Sequence, residues 1–267
     1  MLLSNFLKTR ESIREFKERG LNAETLDKIR EYCNSLGEEG FQLQLYENGG
    51  EIYNSLKGLG GYTGVMVKSP HYIGLNILDD EDESMIYGAY HMEELITKLT
   101  ELGIGSCWVS IKDVDDNIKK SALNIENGSV DYLIALGYPV AKNPFVTENN
   151  SSRLSVEEIV FSNQIGNPIQ QRELEARGLD DLFYYIRYAP SSYNRQPWRF
   201  VLKDDKVVLL LAYSFDQELE LVNAGIIMYY FENLAKRIGI HNKWKLIDDG
   251  GYQDDDYKYR YVGEFPL

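Results

Sequence analysis

An internal repeat is the feature that most constrains how this chain folds. At an offset of 157 positions Phe41 aligns with Trp198, and at an offset of 136 Gly103 aligns with Gly239. Both glycines follow a long stretch rich in apolar residues. Because the two matches occur in the same order, they predict two similar halves, as a repeated sequence implies a repeated structural unit.

The change in offset predicts where the two halves differ. The offset changes by 21 positions, so we expect about 21 extra residues in the first half. The glycine-rich stretch at 49–61 predicts a flexible loop there. A polar crossing at 143–153 predicts a boundary, with one half at 1–150 and the other at 151–267, interlocked as one compact unit.

Hydrophobic periodicity predicts helices mixed with mostly antiparallel strands, which is the α+β class. Asn22 is typical of an N-cap before a helix at Ala23–Leu36. Further helices are predicted at 85–102, 180–188 and 217–238, and strands at 41–45, 62–67, 71–78, 132–136, 199–203 and 206–212.

A polar loop at 189–198, with the sequence APSSYNRQPW, follows one predicted helix and precedes a strand. Pro190 ends the helix because proline lacks an N–H and disfavours helical backbone in the preceding residue. Neutral donors and acceptors suit an uncharged heterocycle such as a flavin ring, although the same residue types form ordinary capped turns. The polar side chains in question are those of Ser191, Ser192, Asn194 and Gln196.

A second candidate site lies near the N-terminus, where Arg10, Ser12 and Arg14 occupy alternate positions. Guanidinium groups and a hydroxyl are the groups that bind a phosphate through charge-assisted hydrogen bonds. Taken alone, the same pattern fits a solvated basic turn.

Together these segments resemble the FMN-dependent nitroreductase family, which reads R-x-S-x-R-x-F near its N-terminus and A-P-S-x-x-N-x-Q-P-W-x-F in a loop. The resemblance implies that Arg10 and Ser12 bind the flavin phosphate and that Arg14 reaches the pyrimidine edge of the flavin. It also implies flavin contacts for the loop residues Pro190, Ser191, Ser192, Asn194 and Gln196.

Two further stretches extend the resemblance. The sequence GIGSCWVS at 103–110 is similar to the family's G-L-G-x-x-W, which implies that Val109, Ser110 and Ile111 contact flavin N5 and O4. Some relatives carry Glu-Gly where this chain has Ser110-Ile111, so the resemblance leaves the N5 environment and the substrate preference open. Arg153, in a stretch similar to the family's last segment, is implied to reach back to the phosphate.

The repeat gives this resemblance a particular form. Family members are homodimers whose flavin is held by the phosphate motif of one subunit and the loop of the other. Here the first half keeps only the phosphate motif and the second half only the loop. The chain therefore resembles the single-chain, dimer-mimicking TM nitroreductases, with one flavin site in a monomer.

The resemblance implies an oxidoreductase in which FMN takes hydride from NAD(P)H and delivers it through N5 to a nitroaromatic, a quinone or a similar small acceptor. No side chain is then a catalytic nucleophile. The alternatives are a non-catalytic or sensory flavin-binding protein and a duplicated fold that binds no flavin.

Composition excludes several other classes. A net charge of −14 argues against nucleic acid as a partner, because such binding depends on Lys and Arg. Cys33 and Cys107 form no C-x-x-C, and His71, His91 and His241 share no metal-ligand spacing, so no metal site is expected. No apolar run is long enough to cross a bilayer, and we expect a cytoplasmic protein with a small-molecule substrate.

Overall fold

The computed structural model describes residue 7 and residues 11–141, 152–247 and 250–267. The chain divides into two compact units. The N-terminal unit lies within Glu11–Glu148, and the C-terminal unit lies within Asn149–Leu267 and includes Leu7. The division falls beside the predicted boundary, and Leu7 groups with the second unit although its sequence position lies in the first half. That the halves interlock stays a prediction.

The N-terminal unit packs helices against one antiparallel sheet. Its strands follow the order β1-β2-β4-β3. The elements are α1 (Ala23–Leu36), β1 (Phe41–Tyr46), α2 (Gly49–Leu56), β2 (His71–Ile77), α3 (Asp82–Glu101), β3 (Gly105–Ser110), α4 (Asp116–Leu123) and β4 (Ser129–Gly137).

Helix α1 shows how local sequence sets an element boundary. The Asn22 side chain accepts a hydrogen bond from the Thr25 N–H at 2.8 Å, which satisfies one of the free donors of the first turn. Leu26, Ile29 and Cys33 recur at helical spacing and are all buried. The predicted helix and its cap are confirmed.

The C-terminal unit carries a second sheet, in the order β5-β6-β7-β10-β8 with β9 on β10. Strand β5 runs parallel to β6, and the other pairs are antiparallel. The elements are α5 (Val156–Ile159), β5 (Val160–Ser162), α6 (Gln171–Arg177), α7 (Asp180–Ile186), β6 (Trp198–Leu202), β7 (Lys206–Tyr213), α8 (Val222–Arg237), β8 (Lys245–Leu246), β9 (Gly251–Gln253) and β10 (Lys258–Pro266).

The two units share one topology. Strands β6-β7-β10-β8 follow the same order as β1-β2-β4-β3, and β1 and β6 begin at the residues that align at an offset of 157. The α+β class and the two similar halves are confirmed.

The ends of α3 and α8 match in detail. After α3, the Ile104 N–H bonds the Leu99 carbonyl at 2.9 Å, and after α8 the Ile240 N–H bonds the Ala235 carbonyl at 3.0 Å. In both helices a glycine with positive φ makes this Schellman turn possible, Gly103 at 73° in the first and its aligned counterpart at 88° in the second. The offset of 136 therefore joins equivalent helix ends.

The extra residues of the first half lie between its first two strands. Residues 47–70 connect β1 to β2, whereas 203–205 connect β6 to β7, a difference equal to the change in offset. Part of the predicted flexible loop is helix α2, whose Ile52 and Leu56 are buried, so that prediction is wrong. The strand predicted at 62–67 is also wrong. There the chain turns back through Gly64, at φ 79°, and Val65 pairs only with Tyr62.

The long helices pack one face against the sheets and also bury polar groups. In α8, Phe231 stacks on Phe200 of β6 with ring centroids 5.4 Å apart. Asn223 of the same helix and Glu93 of α3 are buried. In the described part of the chain, no helix has the length and apolar character needed to cross a membrane.

A buried histidine joins the entry of α1 to strand β2. His71 Nε2 accepts the Leu21 N–H at 2.9 Å, so its Nδ1 carries the hydrogen that is donated to the Glu47 carbonyl at 2.8 Å. Burial lowers the pKa of His71 from its ordinary value of 6.5. Both the burial and the acceptor role of Nε2 favour the neutral ring.

We therefore expect acid to destabilise the N-terminal unit through His71. The unfolded chain protonates this ring at a higher pH than the folded chain, so the free energy of unfolding falls as pH drops below about 6.5. Denaturant unfolding at a series of pH values measures the effect. His71→Gln should reduce the pH dependence and His241→Gln, at an exposed site, should leave it in place; equal slopes in all three proteins would contradict the assignment.

Candidate functional site

The polar loop 189–198 leads from α7 into the first residue of β6 in the C-terminal unit. Its backbone is unusual, because Tyr193, Asn194 and Gln196 have φ values of 52°, 56° and 49°. Residues other than glycine rarely adopt positive φ, and such strain persists only where the surroundings enforce it. The loop therefore has a shape that the rest of the unit imposes.

Side-chain hydrogen bonds to residues 152–154 impose that shape. The Asn194 amide donates to the Ser152 carbonyl at 2.9 Å and accepts from Arg153 Nη1 at 3.0 Å. The same Arg153 nitrogen donates to the Ala189 carbonyl at 2.9 Å. Gln196 Oε1 accepts the Leu154 N–H at 3.0 Å. A segment distant in sequence thus holds both ends of the loop.

The predicted loop residues are therefore brought together, and several of their polar atoms bind protein groups. Ser191 Oγ accepts the Gln196 N–H at 2.9 Å, and the Gln196 side chain is buried. Pro190 follows the end of α7, and Ser192 begins the short turn Ser192–Asn194. Arg153 lies beside the loop, and its reach to a phosphate stays a prediction, as do the flavin contacts of the other loop residues.

A partly buried cation, Arg199, holds the end of the loop where it enters β6. Arg199 Nη1 donates to the carbonyls of Gln196 and Trp198 at 3.0 and 2.8 Å. Desolvation lowers the pKa of Arg199 from an ordinary value of 12.5, a change that leaves the guanidinium protonated at neutral pH.

One anchor of the loop was not predicted from the sequence. Asn223, in the first turn of α8, accepts the Ser192 N–H through Oδ1 at 3.1 Å and is 2 % exposed. Its Nδ2 donates to the Glu220 carbonyl at 3.3 Å. The only signal in the sequence was a polar residue at the start of an apolar helix. This signal does not indicate which loop the side chain contacts.

In the N-terminal unit, the phosphate motif lies beside the start of β3. The Ile13 N–H bonds the Ser106 carbonyl at 2.9 Å, and the Ile13 side chain packs over Gly105. Arg14 is exposed, with no ion pair to another residue in the described ranges, and Arg10 lies outside those ranges.

The predicted N5 contacts lie at the other end of the same strand edge. Ile111 donates to the Asp131 carbonyl at 2.8 Å, so the N–H groups of Val109 and Ile111 point toward β4. The backbone N–H and C=O groups of successive strand residues point to alternate sides, so those of Ser110 point away from β4. The Ser110 carbonyl accepts the Gly61 N–H at 2.8 Å. The Ser110 N–H faces the same outer edge without an acceptor among residues that the structure describes.

Gly61 shows why the glycine-rich stretch adjoins this edge. It has φ 83°, and a Cβ at this position would lie 2.2 Å from the Val65 carbonyl oxygen. Only glycine fits where the backbone passes this close to Val65, and this turn lets the Gly61 N–H reach the Ser110 carbonyl. Ser106 and Ser110 are about 13 Å apart along the strand at about 3.3 Å per residue, so the segment of the predicted phosphate motif and the predicted N5 contacts lie at opposite ends of one strand edge.

Within the described residues, no group of three or more His, Cys, Asp or Glu side chains is placed to hold a metal ion. The chemistry that the site offers therefore comes from neutral amides, hydroxyls, backbone N–H groups and arginines. Groups of these kinds can form hydrogen bonds to a polar heterocycle and charge-assisted bonds to a phosphate.

Comparison with known proteins gives one family and one fold. A family profile described as "Putative TM nitroreductase" matches residues 3–235. A crystal structure described as a "putative nitroreductase" from Thermotoga maritima has a TM-score of 0.59 at 17% identity, covering 98% of this chain and 94% of that one. No curated protein matches the chain.

Two other solved structures match about half of the chain. An FMN-dependent nitroreductase from Clostridium difficile has a TM-score of 0.44 at 22% identity, covering 55% of this chain and 98% of its own. A nitroreductase with bound FMN from Bacteroides fragilis has a TM-score of 0.44 at 18% identity, covering 57% and 98%.

The loop geometry yields a stability prediction. Asn194→Ala removes the hydrogen bonds to Ser152 and Arg153 and should lower the free energy of unfolding by about 1–3 kcal/mol. Asn194→Gly removes the same bonds but tolerates positive φ, so it should be less destabilising than Ala by about 1 kcal/mol. Denaturant unfolding followed by tryptophan fluorescence measures both variants. If Ala is as stable as Gly, the left-handed backbone carries no strain.

Proposed function

The chain belongs to the family described as "Putative TM nitroreductase", and from this premise we propose that it is an FMN-dependent oxidoreductase with one flavin site per chain. NAD(P)H is the proposed electron donor, and a nitroaromatic, quinone or similar small molecule is the proposed acceptor. The observation that carries the proposal is the outward Ser110 N–H on the edge of β3, at the position that the family motif assigns to flavin N5.

A fixed N–H at that position fits the reactive edge of a flavin. Bound FMN would supply hydride-transfer chemistry at N5 of its ring. The ladder between β3 and β4 fixes the Ser110 backbone, so the N–H is oriented before a ligand arrives. A preorganised donor of this kind costs no reorganisation during the reaction.

Arg14 fits the negative charge of the cofactor. It is exposed, and the residue before it, Ile13, donates a backbone hydrogen bond to the Ser106 carbonyl at the start of β3. In a chain with a net charge of −14, a cation at a motif position is an informative exception. Ser12, Arg14 and Arg10 are proposed to bind the phosphate and the pyrimidine edge.

The polar loop fits the neutral part of the cofactor. Its shape is held by Arg153, Asn194, Gln196 and Asn223, so its remaining donors and acceptors are presented without further ordering. Preorganisation lowers the entropic cost of binding. Ser191 and Ser192 are proposed to contact the ring.

The first experiment is an absorbance spectrum of the purified protein, followed by anaerobic addition of NADH or NADPH. We expect about one FMN per chain, bleached by the nucleotide, as one site per chain requires. Bound flavin that no nucleotide reduces would favour a binding or sensory role. A protein that cannot be reconstituted with FMN would overturn the proposal.

Removing one phosphate-motif cation should weaken FMN binding. Arg14→Ala should raise the FMN dissociation constant by about ten-fold, because one charge-assisted bond is lost. Arg19→Ala is the matched control, since Arg19 is an exposed arginine of the same segment that lies 5.1 Å from the Tyr138 ring. Fluorescence titration with FMN measures both, and equal affinities would argue against a contact between Arg14 and the pyrimidine edge of the flavin.

Removing the Ser110 N–H should slow flavin reduction while preserving the sheet. Ser110→Pro deletes an outward N–H that the β3–β4 ladder does not use, a position where strands tolerate proline. Ser110→Ala keeps the N–H and serves as control. Stopped-flow reduction of bound FMN should be at least about ten-fold slower in the proline variant than in the alanine variant. Equal rates in the two variants would exclude this N–H from the reaction.

A further inference from the structure

Tyr193 occupies the centre of the polar loop in a conformation that is unfavourable for its residue type. Its φ is 52°, and its side chain is 51% exposed. A left-handed backbone is unfavourable for a residue other than glycine, and asparagine tolerates it better than a bulky aromatic residue does. Strain of this kind concentrates at ligand-binding sites, where the surroundings maintain it.

An arginine holds one side of the Tyr193 ring. The Arg195 guanidinium carbon lies 5.0 Å from the ring centroid, within the range of a cation–π contact. Arg195 Nη1 is in turn 3.8 Å from Glu220 Oε1, and the Glu220 side chain is only 8% exposed. Since half of the tyrosine side chain remains exposed, Arg195 covers only part of the ring.

Asn223 of α8 and Glu220, which precedes the helix, act on both the ring of Tyr193 and the backbone before it. Asn223 accepts the Ser192 N–H, which fixes the residue that precedes Tyr193. Its amide nitrogen donates to the Glu220 carboxylate at 3.3 Å, and that carboxylate attracts the arginine over the ring. Backbone and ring of Tyr193 are thus positioned by one pair of neighbouring side chains.

We infer that Tyr193 is a specificity-determining residue, whose ring stacks on the ring of an aromatic electron acceptor. The inference rests on the proposed function, which assigns this loop to the flavin. An electron-rich phenol ring favours offset stacking with the electron-poor ring of a nitroaromatic or a quinone. Asn223, Glu220 and Arg195 act as positioning residues, because they set where that ring lies.

The test uses the FMN-loaded protein, reduced with dithionite and mixed anaerobically with an acceptor. The recovery of flavin absorbance gives a second-order rate constant for 4-nitrobenzamide, which has an aromatic ring, and for ferricyanide, which has none. We expect Tyr193→Leu to lower the ratio of the two rate constants by about five-fold, as loss of one aromatic pair predicts. Tyr193→Phe should retain the wild-type ratio, because it keeps the ring.

Tyr184→Leu is the matched control. Tyr184 is another exposed tyrosine of the same unit, and Arg187 lies 5.0 Å from its ring, but it belongs to helix α7. We expect the wild-type ratio in this variant. A wild-type ratio in Tyr193→Leu, or an equal loss in Tyr184→Leu, would overturn the inference.

Asn223→Ala tests the positioning role, since it leaves Tyr193 in place and removes the acceptor of the Ser192 N–H. The ratio should fall in the same direction, and an unchanged ratio would remove Asn223 from the proposal. Failure of the proposed function is distinguishable from failure of this inference. A wild-type chain that binds no FMN overturns both, whereas a flavin-bound chain whose acceptor ratio ignores Tyr193 overturns only the inference.

Discussion

The hydrogen bonds between residues 152–154 and the polar loop are the interaction on which the C-terminal site depends. Three residues of the loop have positive φ, and each such residue costs about 1–3 kcal/mol. A single neutral hydrogen bond offsets only about 0.5–1.5 kcal/mol of this cost, so no single bond is enough to maintain the loop. The guanidinium of Arg153, bonded to Ala189 and Asn194 together, supplies the stronger charge-assisted contacts. All of these hydrogen bonds together therefore maintain the shape of the loop.

The two units use one topology for different purposes. In the C-terminal unit, the connection between α7 and β6 is the strained polar loop, whereas the equivalent connection between α1 and β1 is a short turn at 37–40 with no positive φ. In the N-terminal unit, β3 has an edge with the outward Ser110 N–H, whereas the equivalent β8 is only two residues long. Each unit therefore has one structural feature that the other unit lacks, as the proposed single flavin site per chain requires.

Sequence signals predicted helices and helix ends correctly where these features depend only on residues that are neighbours in the chain. The Asn22 cap, the buried face of α1 and the paired glycine turns after α3 and α8 all follow from short stretches of sequence. Predictions failed at 47–70, where glycines that resemble a flexible loop begin helix α2 and form close backbone contacts. Glycine tolerates both outcomes, and only packing against the core decides between them.

By itself, the sequence determined the α+β class, the repeat with its offsets and the two motifs whose residues suit a phosphate and a neutral heterocycle. These follow from periodicity, capping and side-chain chemistry, which act over a few residues. Only the tertiary structure decided that Arg153 and Asn223 bind the same loop. It also decided that Tyr193 has a strained backbone and that the Ser110 N–H faces the outer edge of β3. Those outcomes depend on contacts between residues far apart in the chain, and packing alone selects them.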